Sequence, residues 1–338
     1  MNAPPATPSP SRPSRVPAVD ALRLVAAAAV VLIHFWPRAT SGVRGSVGIW
    51  VCGIGRFAVP FFFAASGHFL SKRLGSIRGA AGPAWKWFRI VVLWQCIHVA
   101  WFYLVDAVQG HSAPFPDWLR RNLGWNGLFE GPAWPLWYLH SLVFTLLATG
   151  ILSGRLRPLA WALAAAMFSW ALLAGPWHSV LPMVPWPFSF NPRGFLFTSW
   201  LPFLWGAAAP ARPRAKTGMA ITVAGFVVLA GEILLLPADP SFPPDFLLGG
   251  MIAGVGLFHL ALAQQGRKFP FAGWAAAALP MYLTQLMLYT ALRKAVKWPF
   301  AGFDPWSGQA VATVLALVPF ALGCLWLSRT GVWRRIHA

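Results

Sequence analysis

Residues 19–36 read VDALRLVAAAAVVLIHFW, an apolar run long enough to cross a lipid bilayer as one helix. Its apolar centre is preceded by a polar N-terminal stretch, as in a secretion signal. It is followed, however, by HFWP at 34–37 and not by the small residues of a cleavage site. The sequence therefore predicts an uncleaved first membrane helix. Arg23 and His34 lie within it, and charged or titratable groups inside such helices are costly and often functional.

Runs of the same character recur along the chain and explain its composition, which is 57% hydrophobic and 10% charged, with a mean hydropathy of +0.59. A soluble globule could not hide so much apolar surface, and a disordered chain would not carry it. The sequence predicts an all-α polytopic integral membrane protein without an internal repeat. The ten predicted spans are residues 19–36, 48–70, 88–106, 133–152, 158–175, 194–210, 217–236, 246–264, 270–290 and 308–328.

The basic residues between these runs predict the orientation. With the N-terminus in the cytoplasm, the inner segments carry roughly twice as many Lys and Arg residues as the outer loops, in line with the positive-inside rule. The net charge of +19 is therefore interpreted as a topology signal and not as a nucleic-acid-binding surface. We expect a disordered cytoplasmic tail (1–18), one transmembrane domain (19–330) and a short basic cytoplasmic tail (331–338).

Arg23 and His34 are eleven residues apart, within about 20° of three full helical turns, so both side chains face the same way about 16 Å apart along the axis. A cation at one end and a neutral proton acceptor at the other suit the binding of an anionic donor and the activation of an acceptor. The structural alternative is that Arg23 extends to the cytoplasmic headgroups and that His34 is an interfacial polar residue.

Two clusters of side chains flank the predicted spans. The basic cluster at the cytoplasmic boundary consists of Lys72, Arg73 and Arg78. It suits lipid headgroups or the phosphates of a cytosolic cofactor. The aromatic cluster at the outer end of the fourth run consists of Trp134, Trp137 and Tyr138. Aromatic rings at this level anchor a helix at the membrane surface, and they also pack on the apolar face of a sugar.

Together these segments resemble the membrane-bound acyltransferase-3 family, and in particular the branch that contains the enterobacterial-common-antigen O-acetyltransferase. The matching segments are Arg23 and His34 with ten residues between them, VPFFF at 59–63, Ser66-Gly67 and WPLWYL at 134–139. A weaker match, LPMYLTQ at 279–285, places Gln285 where many members carry a histidine. No catalytic role is therefore carried over to Gln285.

The resemblance implies transfer of an acyl group, most often acetyl from acetyl-CoA, to a hydroxyl of an extracytoplasmic or lipid-linked glycan. It also implies that Arg23 and His34 are the essential pair, and that the protein lies in the bacterial inner membrane. The expected partners are therefore membrane lipids, acyl-CoA and a glycan or glycolipid, with no nucleic acid.

The chemistry of such a transfer assigns further expected roles. We expect Arg23 and the basic cluster to hold the donor phosphates, and the aromatic cluster to bind the acceptor. The scattered His and Cys residues show no ligand spacing, so no metal is expected. An oxyanion donor is also needed, and its candidates are Arg56, Ser66, Tyr138 and Gln285. The alternative function is a transporter or flippase for a lipid-linked saccharide; a scaffold without catalysis would leave Arg23 and His34 unexplained.

Overall fold

The computed structural model describes residues 15–36, 42–110, 114–122, 136–178, 180–181, 195–236, 246–295 and 305–337, and within these ranges it contains no β-strand. The α-helices are α1 (Pro17–Phe35), α2 (Gly42–Gly55), α3 (Ala58–Leu70), α4 (Ile77–Val108), α5 (Phe115–Asn122), α6 (Trp137–Ile151), α7 (Arg157–Ala174), α8 (Trp200–Ala208), α9 (Ala215–Leu235), α10 (Leu248–Leu262), α11 (Ala278–Ala295), α12 (Pro305–Arg329) and α13 (Gly331–His337). Short 3-10 helices occur at Ser71–Arg73, Gly154–Leu156 and Ala272–Ala277.

Six helical stretches of the described chain are long and apolar enough to cross a membrane. They are Pro17–Phe35, Val47–Arg73, Ile77–Val108, Gly154–Ala174, Ala215–Leu235 and Ala310–Arg329. The shorter helices α6 and α10 are also apolar. An all-helical, multi-pass membrane protein is therefore confirmed, whereas ten spans and cytoplasmic termini stay predictions.

Helix α1 is buried on two sides, because it contacts α3, α11 and the 3-10 helix Ala272–Ala277. Ala26 and Val30 pack into one apolar cluster with α3 and α10, and Ala27 and Val31 pack into another with α11 and α12. Small residues let neighbouring helices approach closely within a membrane. The alanine-rich middle of α1 thus holds this helix, and the polar residues near its two ends, in the centre of the bundle.

The second predicted span is broken by a turn at Arg56 and Phe57, which separates α2 from α3. Two glycines of α10 lie against this turn. A Cβ atom at Gly250 would be 3.2 Å from the Arg56 Cβ, and one at Gly254 would collide with the Phe57 carbonyl oxygen. The missing side chains let α10 approach the turn, and this contact places Arg56 near α1.

Helices α3 and α8 cross with their backbones in contact. A Cβ atom at Gly67 would collide with the Phe203 carbonyl oxygen, and one at Gly206 would collide with the Ala64 carbonyl oxygen. Only glycine fits at both positions, so Gly67 and Gly206 permit this close approach of the two helices.

Glu232 is an acidic residue within a membrane helix, and it joins α9 to α10. Its side chain is 6% exposed and accepts hydrogen bonds from the Trp177 indole (2.8 Å) and from the backbone N–H groups of Leu248 (3.0 Å) and Gly249 (2.7 Å). The two backbone donors belong to the first turn of α10, whose N–H groups lack partners within the helix. Glu232 therefore caps α10 and has a structural role.

Candidate active site

Arg23 lines a cavity of about 260 Å³, here called the Arg23 cavity, between α1, α3, α6 and α11. Its Nη1 atom lies 3.2 Å from the Oδ1 atom of Asp20, one turn earlier in α1. Its guanidinium carbon lies 5.2 Å from the ring centre of Phe69, a distance at which cation and ring attract each other. The Arg23 side chain is held from two sides and is still 34% exposed, so it is accessible to a ligand.

Ser66 and Tyr138 form a hydrogen-bonded pair in the wall of the Arg23 cavity. Their hydroxyl oxygens are 3.2 Å apart, which joins α3 to α6. The Tyr138 ring packs against Phe63, with ring centres 4.6 Å apart, and against the edge of Tyr282, at 5.6 Å. These ring contacts and the hydrogen bond hold the Tyr138 hydroxyl toward Ser66.

His34 lines a second and smaller cavity of about 50 Å³, here called the His34 cavity. Its wall is mostly apolar, with Val30 from α1, Val59 from α3 and Met251 from α10. Its other polar lining residues come from four parts of the chain. They are Arg56 from the turn before α3, Trp137 and Tyr138 from α6, Tyr282 from α11, and Thr198 from the segment before α8. A few polar groups in an apolar wall are typical of a small-molecule site.

The two cavities adjoin each other along α1. They share four lining residues, namely Val30, Val59, Tyr138 and Tyr282. Arg23 lines only the first cavity and His34 only the second, as expected for side chains three turns apart on one face of a helix. The arrangement offers a cationic group at one end, a proton acceptor at the other, and an apolar wall between them.

A family model decides what kind of protein carries this arrangement. The acyltransferase-3 model, described as an acyltransferase domain, matches residues 16–329, which is nearly the whole chain. The chain belongs to the acyltransferase-3 family. The match covers every segment that lines the two cavities. Searches of curated proteins and of solved structures find no match.

Most of the expected site residues of this acyltransferase-3 protein meet at the two cavities. Those that do are Arg23, Ser66 and Tyr138 in the first, and His34, Arg56, Trp137 and Tyr138 in the second. The three residues of the basic cluster are exposed and line neither cavity. Lys72 and Arg73 follow α3, and Arg78 lies in the first turn of α4. Trp134 lies outside the described residues.

Gln285 is set apart from the other candidates. It is fully buried in α11, its Nε2 atom donates to the Tyr282 carbonyl oxygen (3.1 Å), and it lines neither cavity. As an oxyanion donor it is therefore less well placed than Arg56, which shares the His34 cavity. Ser66 and Tyr138 are already hydrogen-bonded to each other.

Two hydroxyl-bearing lining residues of this acyltransferase-3 chain, Tyr282 and Thr198, were not predicted from the sequence. Tyr282 belongs to the weak family match at 279–285, which is a sequence signal that points to this residue. Thr198 carries no such signal, because a single hydroxyl in an apolar stretch usually bonds to the backbone of its own helix. Only the tertiary structure brings Thr198 to the His34 cavity.

Proposed function

We propose that this protein transfers an acyl group, in the simplest case acetyl, from cytosolic acyl-CoA to a hydroxyl of an extracytoplasmic or lipid-linked glycan. Membership of an acyltransferase family supports transfer over the transport alternative. The single observation that carries the proposal is that Arg23 and His34, on one helix, line two adjoining cavities. We further propose a place in the bacterial inner membrane with ten passes and both termini in the cytoplasm, in the O-acetyltransferase branch that VPFFF at 59–63 resembles.

The nucleotide end of the donor would lie at the Arg23 cavity. A guanidinium has five N–H donors, and the contact with Asp20 occupies only one side of Arg23, so others are left for a phosphate. The exposed basic cluster adds positive charge on the same side of the membrane in the proposed topology. An extended pantetheine arm of roughly 15–20 Å would then span the ~16 Å from Arg23 to His34.

The reacting atoms would meet at the His34 cavity. In the first route, the acceptor oxygen attacks the thioester carbon while the His34 imidazole takes the hydroxyl proton. The C–S bond then breaks, and the CoA thiolate receives that proton. In the second route, a neutral imidazole nitrogen attacks the thioester carbon, the C–S bond breaks, and CoA leaves as the thiolate. The acceptor hydroxyl oxygen then attacks the acyl carbon, the C–N bond to His34 breaks, and the hydroxyl proton passes to the CoA thiolate. Both routes need His34 in contact with the thioester.

The acceptor would approach along the aromatic cluster. Trp137 lines the His34 cavity and begins α6, and Tyr138 follows it in the wall between the two cavities. The apolar face of a sugar packs well on such rings. A sugar stacked there would present a hydroxyl to the cavity while the rest of the glycan stays outside.

The test is transfer of label from radiolabelled acetyl-CoA in membranes that contain the protein and the host's glycans. We expect label in a glycan or lipid-linked fraction with the wild type, and none above background with His34→Ala at equal protein level. His140→Ala is the matched control, because His140 lies in α6 on a separate cavity with its ring near Gln95. Equal transfer by His34→Ala and the wild type would overturn the proposal.

A further inference from the structure

Thr198 is a buried polar residue whose hydroxyl has no hydrogen-bond partner in the described ranges. The residue lies just before α8 and is 6% exposed. Buried hydroxyls are nearly always paired, so an unpaired one needs an explanation. Because Thr198 lines the His34 cavity together with His34 and Arg56, a molecule in that cavity would supply the missing partner.

The two residues after Thr198 explain why its position is fixed. The Ser199 hydroxyl donates to the Phe195 carbonyl oxygen (3.0 Å) and lies 2.9 Å from the Thr145 hydroxyl. The Trp200 indole donates to the Thr149 hydroxyl oxygen (3.0 Å). The contacts with Thr145 and Thr149 hold the start of α8 against α6. Thr198 is therefore held at the cavity although its own hydroxyl makes no hydrogen bond to the described part of the chain.

The neighbours of Thr198 in the His34 cavity indicate which ligand atom it meets. The cavity is also lined by His34, the proposed base or nucleophile, and by Arg56. In both proposed routes the atoms beside His34 are those of the thioester and of the attacking group. A hydroxyl and a guanidinium in the same cavity suit the thioester carbonyl oxygen, because negative charge develops on that atom.

We propose that the Thr198 hydroxyl donates a hydrogen bond to the carbonyl oxygen of the acyl thioester. The Arg56 guanidinium, which lines the same cavity, is the second donor and supplies a positive charge. The inference rests on the proposed acyl transfer. When the attacking atom bonds to the carbonyl carbon, the C=O π pair moves to the oxygen, which becomes negatively charged. When the C–S bond breaks, the pair returns and sulfur leaves with the bonding electrons. Donors aimed at that oxygen lower the barrier for both steps.

The test compares the rate of label transfer from acetyl-CoA, at a range of concentrations, for Thr198→Val and Thr198→Ser. Valine keeps the shape and removes the hydroxyl, so we expect a maximal rate about 100-fold lower with the KM for acetyl-CoA unchanged. Serine keeps the hydroxyl and should retain most of the rate. Thr222→Val is the matched control, since Thr222 is equally buried and its hydroxyl bonds to the Gly218 carbonyl oxygen within α9.

Each outcome decides a different question. A wild-type rate for Thr198→Val, or a loss seen only as a higher KM, would overturn the role of Thr198 and leave the proposed function standing. If Thr198→Val does not accumulate, Thr198→Ala and Thr198→Ser at equal protein level answer the same question: equal rates for the two would overturn the role. Absence of transfer by the wild type would overturn the proposed function itself.

Discussion

At the scale of single residues, Arg23 and His34 could be predicted because both lie on one helix, where the periodicity alone determines which side chains share a face. Residues that reach a site from different elements could not be predicted in this way. Thr198 lines the His34 cavity because its neighbours bond to α6, and Gln285 lines neither cavity although its segment matches the family weakly. Both outcomes depend on contacts between distant parts of the chain.

The proposed role of Arg23 is to bind the donor phosphates, and a single substitution tests it. Loss of a hydrogen bond to a charged group costs about 1.5–3 kcal/mol, so Arg23→Ala should raise the KM for acetyl-CoA by about ten- to a hundredfold. The measurement is the rate of label transfer as a function of acetyl-CoA concentration. Arg155→Ala is the control, because Arg155 is exposed, lines neither cavity and lies on the cytoplasmic side in the proposed topology. An unchanged KM in Arg23→Ala would contradict the role.

At the scale of elements, the hydropathy pattern predicted the apolar helices but not the turn that interrupts one of them. The run at 48–70 was expected as one span, and the turn at Arg56 and Phe57 divides it. Gly55 lies just before this turn and Pro60 lies in the first turn of α3. Gly250 and Gly254 of α10 pack against the turn, and this long-range contact could not be predicted from the local sequence. The break matters for the site, because it brings the Arg56 side chain into the wall of the His34 cavity.

The cap on α10 gives a prediction about stability. Glu232→Ala removes the acceptor of three hydrogen bonds and leaves buried N–H groups without a partner. We expect a loss of about 3 kcal/mol and a fall in the apparent Tm of the detergent-solubilised protein of roughly 5–10 °C. Asp117→Ala should leave the Tm unchanged, because the Asp117 side chain is 57% exposed. Equal Tm values for the two variants would show that the cap does not stabilise the fold.

At the scale of the whole molecule, composition was enough to predict an all-helical membrane protein, since a chain so poor in charge has few other ways to fold. The cavities could not be predicted from composition, because they arise where α1, α3, α6 and α11 leave space beside a crowded, alanine-rich helix. In the proposed topology, Arg23 lies toward the cytoplasm and His34 toward the outer face. The central claim is therefore directional: the donor enters from one side only.

The most direct measurement of that claim is transfer from acetyl-CoA, which does not cross membranes, in sealed vesicles of opposite orientation. We predict label transfer in inverted vesicles, whose cytoplasmic face is outside, and none in right-side-out vesicles until detergent opens them. His34→Ala vesicles should transfer nothing in either orientation. Equal transfer by both sealed wild-type preparations, or transfer by His34→Ala, would contradict the account.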